Sequence, residues 1–462
     1  MGNYVFAATA VFQIFVFCIM AYYLVISFFG FFRKKDTKDY TAQRKYALIV
    51  AAHNEEVVIA NLLESLKKLD YPKDLYDVFV IADNCTDKTA EIARAHGVNV
   101  FERNDKENRG KGYALEWMFD KLYKMEVKYD AISVFDADNL VAKDFLKEIN
   151  AKMNEGYKVV QGYLDSKNPE DSWIAAAYSI AFWSQNRLYQ LARTNLGLSN
   201  QIGGTGFAID INILKTLGWG ATCLTEDLEF SCKLILNGER VGWAHDAVIY
   251  DEKPLTLKQS WVQRRRWMQG FADVASRFFF KLLKKAVKDM DIRAFDCALY
   301  VIQPFTVLLL GLSALLTAIQ VNTTGVHIYS ISYLFSDMGW KVFVIVQFLI
   351  TPFVILKDKK IPLKIFALFA LYSMNTFIFP IMLEGFKNIF IITGAHVLYT
   401  LVFLIVAYIV FGKKGFLLFF RYLLYSVYTL TWIPITIQGI LRKNNKDWNH
   451  TKHVRQIGIY DV

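Results

Sequence analysis

The sequence predicts an α/β fold joined to transmembrane α-helices, with a cytosolic doubly wound, Rossmann-like domain inserted between the membrane segments. Three observations predict it. Residues 36–272 alternate short β-type runs with amphipathic helical stretches. Apolar runs long enough to cross a bilayer bracket that block. The 462-residue chain is 54% hydrophobic, 16% aromatic and 21% charged, too oily for a soluble protein of this length and too charged for a membrane bundle alone.

Residues 1–35 form the first element. Positions 4–32 are almost uninterrupted apolar, and the basic Arg33-Lys34-Lys35 follows that run. A signal peptide has its basic residues before the apolar run. The observed order predicts a transmembrane helix with its N-terminus outside and the next domain in the cytoplasm.

Within residues 36–272, positions 46–51, 78–82, 98–101 and 131–135 read as buried parallel strands. Positions 57–69, 86–96 and 114–124 read as the helices between them. A doubly wound sheet binds ligands beyond the carboxyl ends of its strands. His53-Asn54-Glu55-Glu56, Asp83-Asn84 and Asp136-Ala137-Asp138 all fall at such ends.

In residues 273–296, Val274, Phe278, Leu282 and Val287 recur near helical spacing among Arg277, Lys281, Lys284, Lys285 and Lys288. This pattern fits a basic amphipathic helix in the membrane interface, or a surface helix of the globular domain. Residues 297–441 contain apolar stretches at 298–321, 341–356, 363–382 and 389–411. The basic loops at 357–360 and Lys413-Lys414 make these two hairpins that return to the cytoplasm. The stretch 416–441 is interrupted by Arg421 and Pro434, and a full span would leave the basic residues 442–446 outside. It reads as an interfacial or re-entrant pair of short helices, followed by a cytosolic tail, 442–462.

The net charge of +10 is accounted for by basic residues at the membrane faces. No nucleic-acid motif accompanies it, so a nucleic-acid partner is not expected. The five cysteines, Cys18, Cys85, Cys223, Cys232 and Cys297, form no C-x-x-C pair or His/Cys cluster. A zinc site and a disulfide framework are therefore not expected.

Three islands carry chemistry. Asp136-Ala137-Asp138 follows the apolar Ser133-Val134-Phe135, which disfavours a plain acidic turn. Its carboxylates suit Mg²⁺ or Mn²⁺ bridging to a diphosphate. Thr225-Glu226-Asp227 opens a helix: Asp227 takes a proton from an acceptor hydroxyl, or Thr225 caps the helix and both acids favour its dipole. Gln263-Arg264-Arg265-Arg266-Trp267 sets phosphate-binding charge beside a flat apolar surface. Alone it would be an ordinary basic helix, and its arginines also suit lipid headgroups. Asp83 suits the N–H of a uracil ring or a helix cap, and Glu55 a nucleotide contact or turn chemistry. Asn108-Arg109-Gly110-Lys111-Gly112 lacks Walker spacing but lets Lys111 approach a phosphate.

Together these motifs resemble the family 2 inverting glycosyltransferases, in their membrane-integrated processive branch of cellulose, curdlan, hyaluronan, chitin and poly-N-acetylglucosamine synthases. The likeness covers residues 46–270 at motif level and the flanking helices by architecture. It implies a glycosyltransferase A-type fold, with UDP-base contacts at Asp83 and Glu55 and diphosphate contact at Lys111. It implies metal binding at Asp138 with Asp136, and a general base at Asp227 beside Glu226. Gln263 and Arg266 would hold the diphosphate and Trp267 would floor the acceptor sugar. Gly204, within Gly203-Gly204-Thr205-Gly206-Phe207, would line the acceptor channel. Trp448-Asn449-His450-Thr451-Lys452-His453 resembles a loop that closes over bound nucleotide, with Trp448, Thr451 and Lys452 as its contacts, or serves as a basic tail on anionic lipid.

The implied activity polymerises a UDP-sugar into a β-linked polysaccharide. The growing chain would be extruded across the plasma membrane by a multi-pass protein in contact with lipids. Neither Gly203 to Phe207 nor Tyr250-Asp251-Glu252-Lys253-Pro254 matches the hyaluronan or chitin pattern, which favours UDP-glucose and a β-glucan: cellulose-like, β-1,3 or mixed-linkage. Alternatives are a UDP-N-acetylglucosamine polymer, single transfer to a lipid-linked acceptor, or an inactive nucleotide-sugar-binding assembly subunit. Accessory subunits are left open.

Overall fold

The four strands expected from the sequence form the leading half of one eight-stranded sheet. The structure, a computed structural model, describes residues 2–34, 37–220, 223–322, 327–383, 385, 386, 388–444, 453 and 455–461. The strands are β1 Tyr46–Ala52, β2 Tyr76–Asp83, β3 Asn99–Arg103, β4 Ala131–Asp136, β5 Leu140–Val141, β6 Val159–Ser166, β7 Phe207–Asp210 and β8 Val241–Asp251. Their order is β3-β2-β1-β4-β7-β6-β8-β5. The first four are parallel. Beyond them β7 runs antiparallel to both β4 and β6, β6 pairs parallel with β8, and β5 closes the edge antiparallel.

Alternation along β1 explains its burial. Tyr46, Leu48 and Val50 face one core, with Leu62 and Leu66 of α2 (Ile59–Lys67), Ala93 of α3 (Thr89–Ala95) and Ile149 of α5 (Phe145–Asn154). Ala47 and Ile49 face the other, with Leu115 and Met118 of α4 (Lys111–Lys124), Leu214 of α8 (Ile211–Leu217) and Phe230 of α9 (Glu226–Leu236). A strand covered on both faces reads as a continuous apolar run. The register pairs Ala51 with Asp136 and Asp83 with Arg103. The carboxylates that end β2 and β4 are thereby brought to one edge.

Helix α6, Trp173–Ser184, continues through a π-helical turn at Gln185–Leu191 into α7, Ala192–Leu196. Helix α10, Leu257–Lys288, starts at a capping box made by Thr256 and Gln259. The boundary expected between residues 272 and 273 falls inside this unbroken helix. Its Val274, Phe278 and Leu282 do not face a membrane. They are buried against Leu228, Cys232 and Ile235 of α9 and Cys297 and Val301 of α11 (Ile292–Val301). Of the expected apolar stripe only Val287 is open, at 72% exposed, with Phe280 and Met290 beside it at 76% and 89%.

The remaining helices are α1 Gly2–Phe28, α12 Gln303–Asn322, α13 Asp337–Lys357, α14 Leu363–Ser373, α15 Asn375–Met382, α16 Ile389–Leu430 and α17 Trp432–Leu441. Among the described residues, five helical stretches are long and apolar enough to cross a membrane: Tyr4–Phe31, Gln303–Gln320, Asp337–Lys357, Leu363–Met382 and Phe390–Leu441. The stretch 298–321 is divided, its first residues belonging to α11. The stretch 363–382 is two helices. α16 is interrupted at Gly412, whose φ of 69° lies in the left-handed region where glycine is at no disadvantage. Pro434 does not break α17 but lies in its first turn, where a missing N–H costs no helical bond.

Candidate active site

Asp136 ends β4, and its turn is fixed from both sides. Its amide donates to Asn139 Oδ1 and Thr205 Oγ1, each at 3.0 Å. Asp138 is 5% exposed, and its Oδ2 accepts the Glu252 amide at 2.9 Å. Burial would raise the Asp138 carboxyl, but His453 and Lys167 outweigh it and hold it below its usual range. Lys111 opens α4 behind Gly110, whose φ is 117°. Its Nζ bonds to Asp136 and donates to the Gly204 carbonyl at 2.7 Å. One ammonium thus ties the acidic turn to the glycine loop.

Glu226 and Asp227 form the first turn of α9. Thr225 makes no side-chain cap there. Asp227 Oδ1 accepts the Leu228 amide at 2.8 Å, while Oδ2 faces Gly204, where an added Cβ would lie 3.4 Å away. Burial and then the Asp227 charge push the Glu226 carboxyl up to about 7, with Lys111 and Arg266 pulling back. Burial also raises Asp227, opposed by the Leu228 amide and Lys111.

Gln263, Arg266 and Trp267 project from α10 into the same space. Gln263 Oε1 and Arg266 Nε are buried without hydrogen-bond partners among the described residues. Trp267 is half-buried and stacks on Trp432, with ring centroids 6.5 Å apart and planes at 22°. Tyr178 and Phe182 meet it at 6.0 and 6.3 Å. Arg264 is fully buried, so it does not meet lipid headgroups; the phase of α10 turns it inward with Ser260 and Met268.

One cavity of about 1000 Å³ is lined by Glu55, Asp83, Lys111, Asp136, Asp138, Gly204, Glu226, Asp227, Gln263, Arg266 and Trp267. It continues past Tyr23 of α1, Val307, Leu310 and Ala314 of α12, and Trp432 and Ile433 of α17. Trp448, Thr451 and Lys452 lie outside the described residues.

At the far end of the cavity Asp83 pairs with Arg103 Nη1 at 2.7 Å. Burial pushes its carboxyl up and Arg103 opposes. Asp87, not Asp83, bonds the start of α3, accepting the Thr89 amide at 3.0 Å. His453, the last residue of the stretch that resembles a nucleotide-closing loop, is a wall residue of the cavity. Its Nδ1 lies 3.1 Å from both Glu55 carboxylate oxygens. Burial would lower His453, but Asp138 and Glu55 raise it to about 10. A partner 398 residues away leaves no local signal.

These parts suit transfer chemistry on an anionic donor. A pair of carboxylates can share a hard divalent cation with phosphate oxygens. Lys111 and Arg266 add fixed positive charge, and Asp227 is a carboxylate of raised basicity beside the glycine loop.

The family model described as Glycosyltransferase like family 2 matches residues 43–270. The chain is 29% identical over 272 residues to a beta-monoglucosyldiacylglycerol synthase of Nostoc sp., covering 55% of this chain and 56% of that protein. It is 28% identical over 270 residues to a poly-beta-1,6-N-acetyl-D-glucosamine synthase of Staphylococcus aureus, covering 56% of this chain and 63% of that one. The matches thus span less than two thirds of these relatives' own lengths. A mannosyltransferase from Pyrobaculum calidifontis, solved with GDP-Man and Mn²⁺, has the same fold at a TM-score of 0.52 and 19% identity, covering 69% of this chain and 87% of that one. The motifs, the sheet that aligns them and these likenesses lead to one conclusion: residues 43–270 are a glycosyltransferase family 2 domain with a glycosyltransferase A-like, Rossmann-type α/β fold.

Proposed function

We propose that this chain is a processive, inverting glycosyltransferase that builds a β-linked polysaccharide from a UDP-sugar and extrudes it across the plasma membrane. The donor we favour is UDP-glucose, and the product a β-glucan, cellulose-like, β-1,3 or mixed-linkage. The observation that carries this reading is the continuity of the cavity, from the strand-end acids past Asp227 and Trp267 to the apolar helices. Its volume of about 1000 Å³ lies at the upper end of small-ligand pockets, generally about 300–1,000 Å³, which leaves room for an acceptor beside a donor.

Asp83 and Glu55 bind the base end of the donor, and Lys111, Gln263 and Arg266 its diphosphate. Asp136 and Asp138 are the residues that would hold Mg²⁺ or Mn²⁺. Among the described residues no group of three or more His, Cys, Asp or Glu gathers for a metal. Two carboxylates with the rest of the shell from phosphate and water is the usual arrangement for a hard cation of this kind. When bound, the cation neutralises charge on the leaving diphosphate. Asp227 accepts the proton of the acceptor hydroxyl, and in-line attack turns an α-linked donor into a β-glycoside. Trp267 stacks under the acceptor ring. Positive-inside reasoning puts this domain and the tail with Trp448, Thr451 and Lys452 on the cytoplasmic side.

A second reading, single transfer to a membrane lipid, is favoured by the apolar wall of Val307, Leu310, Ala314 and Ile433. Purified protein in detergent, offered UDP-glucose or UDP-N-acetylglucosamine, decides between them by product size and linkage. A long water-insoluble β-glucan is expected. A solvent-extractable product carrying one sugar would sink the processive reading, and a polymer made only from UDP-N-acetylglucosamine would sink the choice of donor.

A further inference from the structure

Arg264 sits between the two α10 residues assigned to the diphosphate, yet it does not line the cavity. Its side chain is fully buried, with Cζ 4.1 Å from the Tyr428 ring centroid and 4.9 Å from that of Trp432. Nη1 donates to Thr431 Oγ1 at 2.9 Å, and Thr431 Oγ1 in turn donates to the Tyr428 carbonyl at 2.6 Å. Nε and Nη2 have no hydrogen-bond partner among the described residues. Burying a guanidinium this way is costly, because two aromatic faces and one hydroxyl replace its hydration incompletely. A long apolar side chain would fill the same space at less cost.

The place of those contacts gives the cation a use. Thr431 is the residue between α16 and α17, and Trp432, the first residue of α17, is the ring that stacks on Trp267. We infer that Arg264 is a positioning residue for the acceptor floor: its guanidinium, held against Tyr428 and Trp432 and bonded to Thr431, fixes the α16–α17 junction so that Trp432 backs Trp267. This rests on the proposed role of Trp267 under the acceptor. The planar fork is essential to it, since a lysine ammonium is a point charge that does not lie flat against two rings and reach Thr431 together.

The test uses the full-length protein in detergent with Arg264→Met, which keeps bulk without charge, and Thr431→Val, which removes only the hydroxyl. Hydrogen exchange at residues 431–441 reads the junction without reference to activity. Exchange there is expected to quicken by about tenfold in Arg264→Met, less in Thr431→Val, with the amides of β1 unchanged. The share of donor sugar lost to water rather than acceptor is expected to rise several-fold in both variants, with UDP affinity unchanged within about twofold. Unchanged exchange at 431–441 overturns the inference. So does faster exchange with an unaltered split between acceptor and water, since Arg264 would then be structural only. Should Arg264→Met fail to fold, Thr431→Val carries the same two readings. If the parent protein adds a single sugar, the polymerisation reading falls, while the split between its acceptor and water still decides the role of Arg264.

Discussion

Gly270 lies against Thr225 with no room for a side chain: a methyl carbon on Gly270 would sit 2.8 Å from Thr225 Cβ and overlap both of its branches. Gly270 is one helical turn beyond Arg266, and Thr225 directly precedes Glu226 and Asp227. The contact therefore sets how far Arg266 stands from Glu226 and Asp227 across the cavity. On the neighbouring turn surface, a methyl on Gly439 of α17 would lie 3.1 Å from the Gln269 amide nitrogen. α10 is wedged between a membrane-type helix and the Thr225 turn.

Gly270→Ala is the first prediction. Helix propensity favours alanine by about 1 kcal/mol, whereas overpacking costs typically about 1–3 kcal/mol. A lower Tm is expected, with a proportionally larger fall in UDP release because Thr225 can yield only by moving Asp227. Gly394→Ala, inside α16 where nothing lies within 4 Å of an added Cβ, should leave turnover at the parent value and hold or raise Tm. A Gly270→Ala protein with unchanged Tm and turnover would show that the contact relaxes without disturbing the acids.

The second prediction concerns the metal. Asp138 is buried, and His453 and Lys167 keep it charged, so Asp138→Asn removes a charge from a site arranged for one. Turnover should stop in chelator, return with Mg²⁺ or Mn²⁺, and be lost in Asp138→Asn while the protein still folds and inserts. Full turnover in excess chelator would remove the metal assignment.

The third concerns pH. Glu226 rises from an ordinary 4.5 to about 7, through burial and then the neighbouring Asp227 charge. The folded state therefore holds this proton more tightly than the unfolded chain. That contribution to stability is full below about 4.5 and is lost as pH rises to about 7. Glu226→Gln should flatten the fall in Tm across that window. The acid limb of transfer should lie near 7 in the parent, since ionising Glu226 makes Asp227 a stronger base, and it should move in Glu226→Gln. Asp227→Asn should bind UDP normally but transfer about 10²–10⁴-fold more slowly. A Tm profile for Glu226→Gln that parallels the parent's would refute the raised carboxyl.

Much of this was legible in the sequence because β1, β2 and β4 are largely buried and so write apolar runs, with acids ending β2 and β4, while the edge strand β3 shows only Val100 and Phe101 between polar residues. β5 and β7 are two and four residues long and leave no periodic trace. β6 is buried throughout yet polar in part: Gln161 donates to the Thr205 and Gly206 carbonyls and Asp165 accepts from Trp183, partners that only the tertiary fold supplies. Three consecutive arginines look alike in sequence. The phase set by Ser260 and Met268, each four residues from Arg264, is the signal that marks the buried one. The pairings of His453 with Glu55 and of Trp432 with Trp267 join distant segments, and no local pattern predicts either.

The last prediction rests on Trp267. Its ring lines the cavity next to the acids and packs on Trp432, Tyr178 and Phe182, so its neighbours are protein rings around a void. An indole face stacks well on the apolar face of a pyranose, and here it would hold the chain end beside Asp227 between additions. Trp267→Ala deletes that surface but leaves Gln263 and Arg266 on the same helix. UDP affinity should stay close to the parent value while polymer is lost or shortened and UDP release continues by transfer to water. Aromatic residues near membranes also act as interfacial anchors. An anchoring role predicts something different: Trp267→Leu would lower insertion or Tm and leave product length untouched. Trp267→Phe keeps a flat face and should retain intermediate lengths only if stacking on the acceptor is what matters. Size profiles of the product from the Ala, Leu and Phe variants, at matched amounts of inserted protein, separate the two roles. Parent-length polymer from Trp267→Ala would end the case for an acceptor floor.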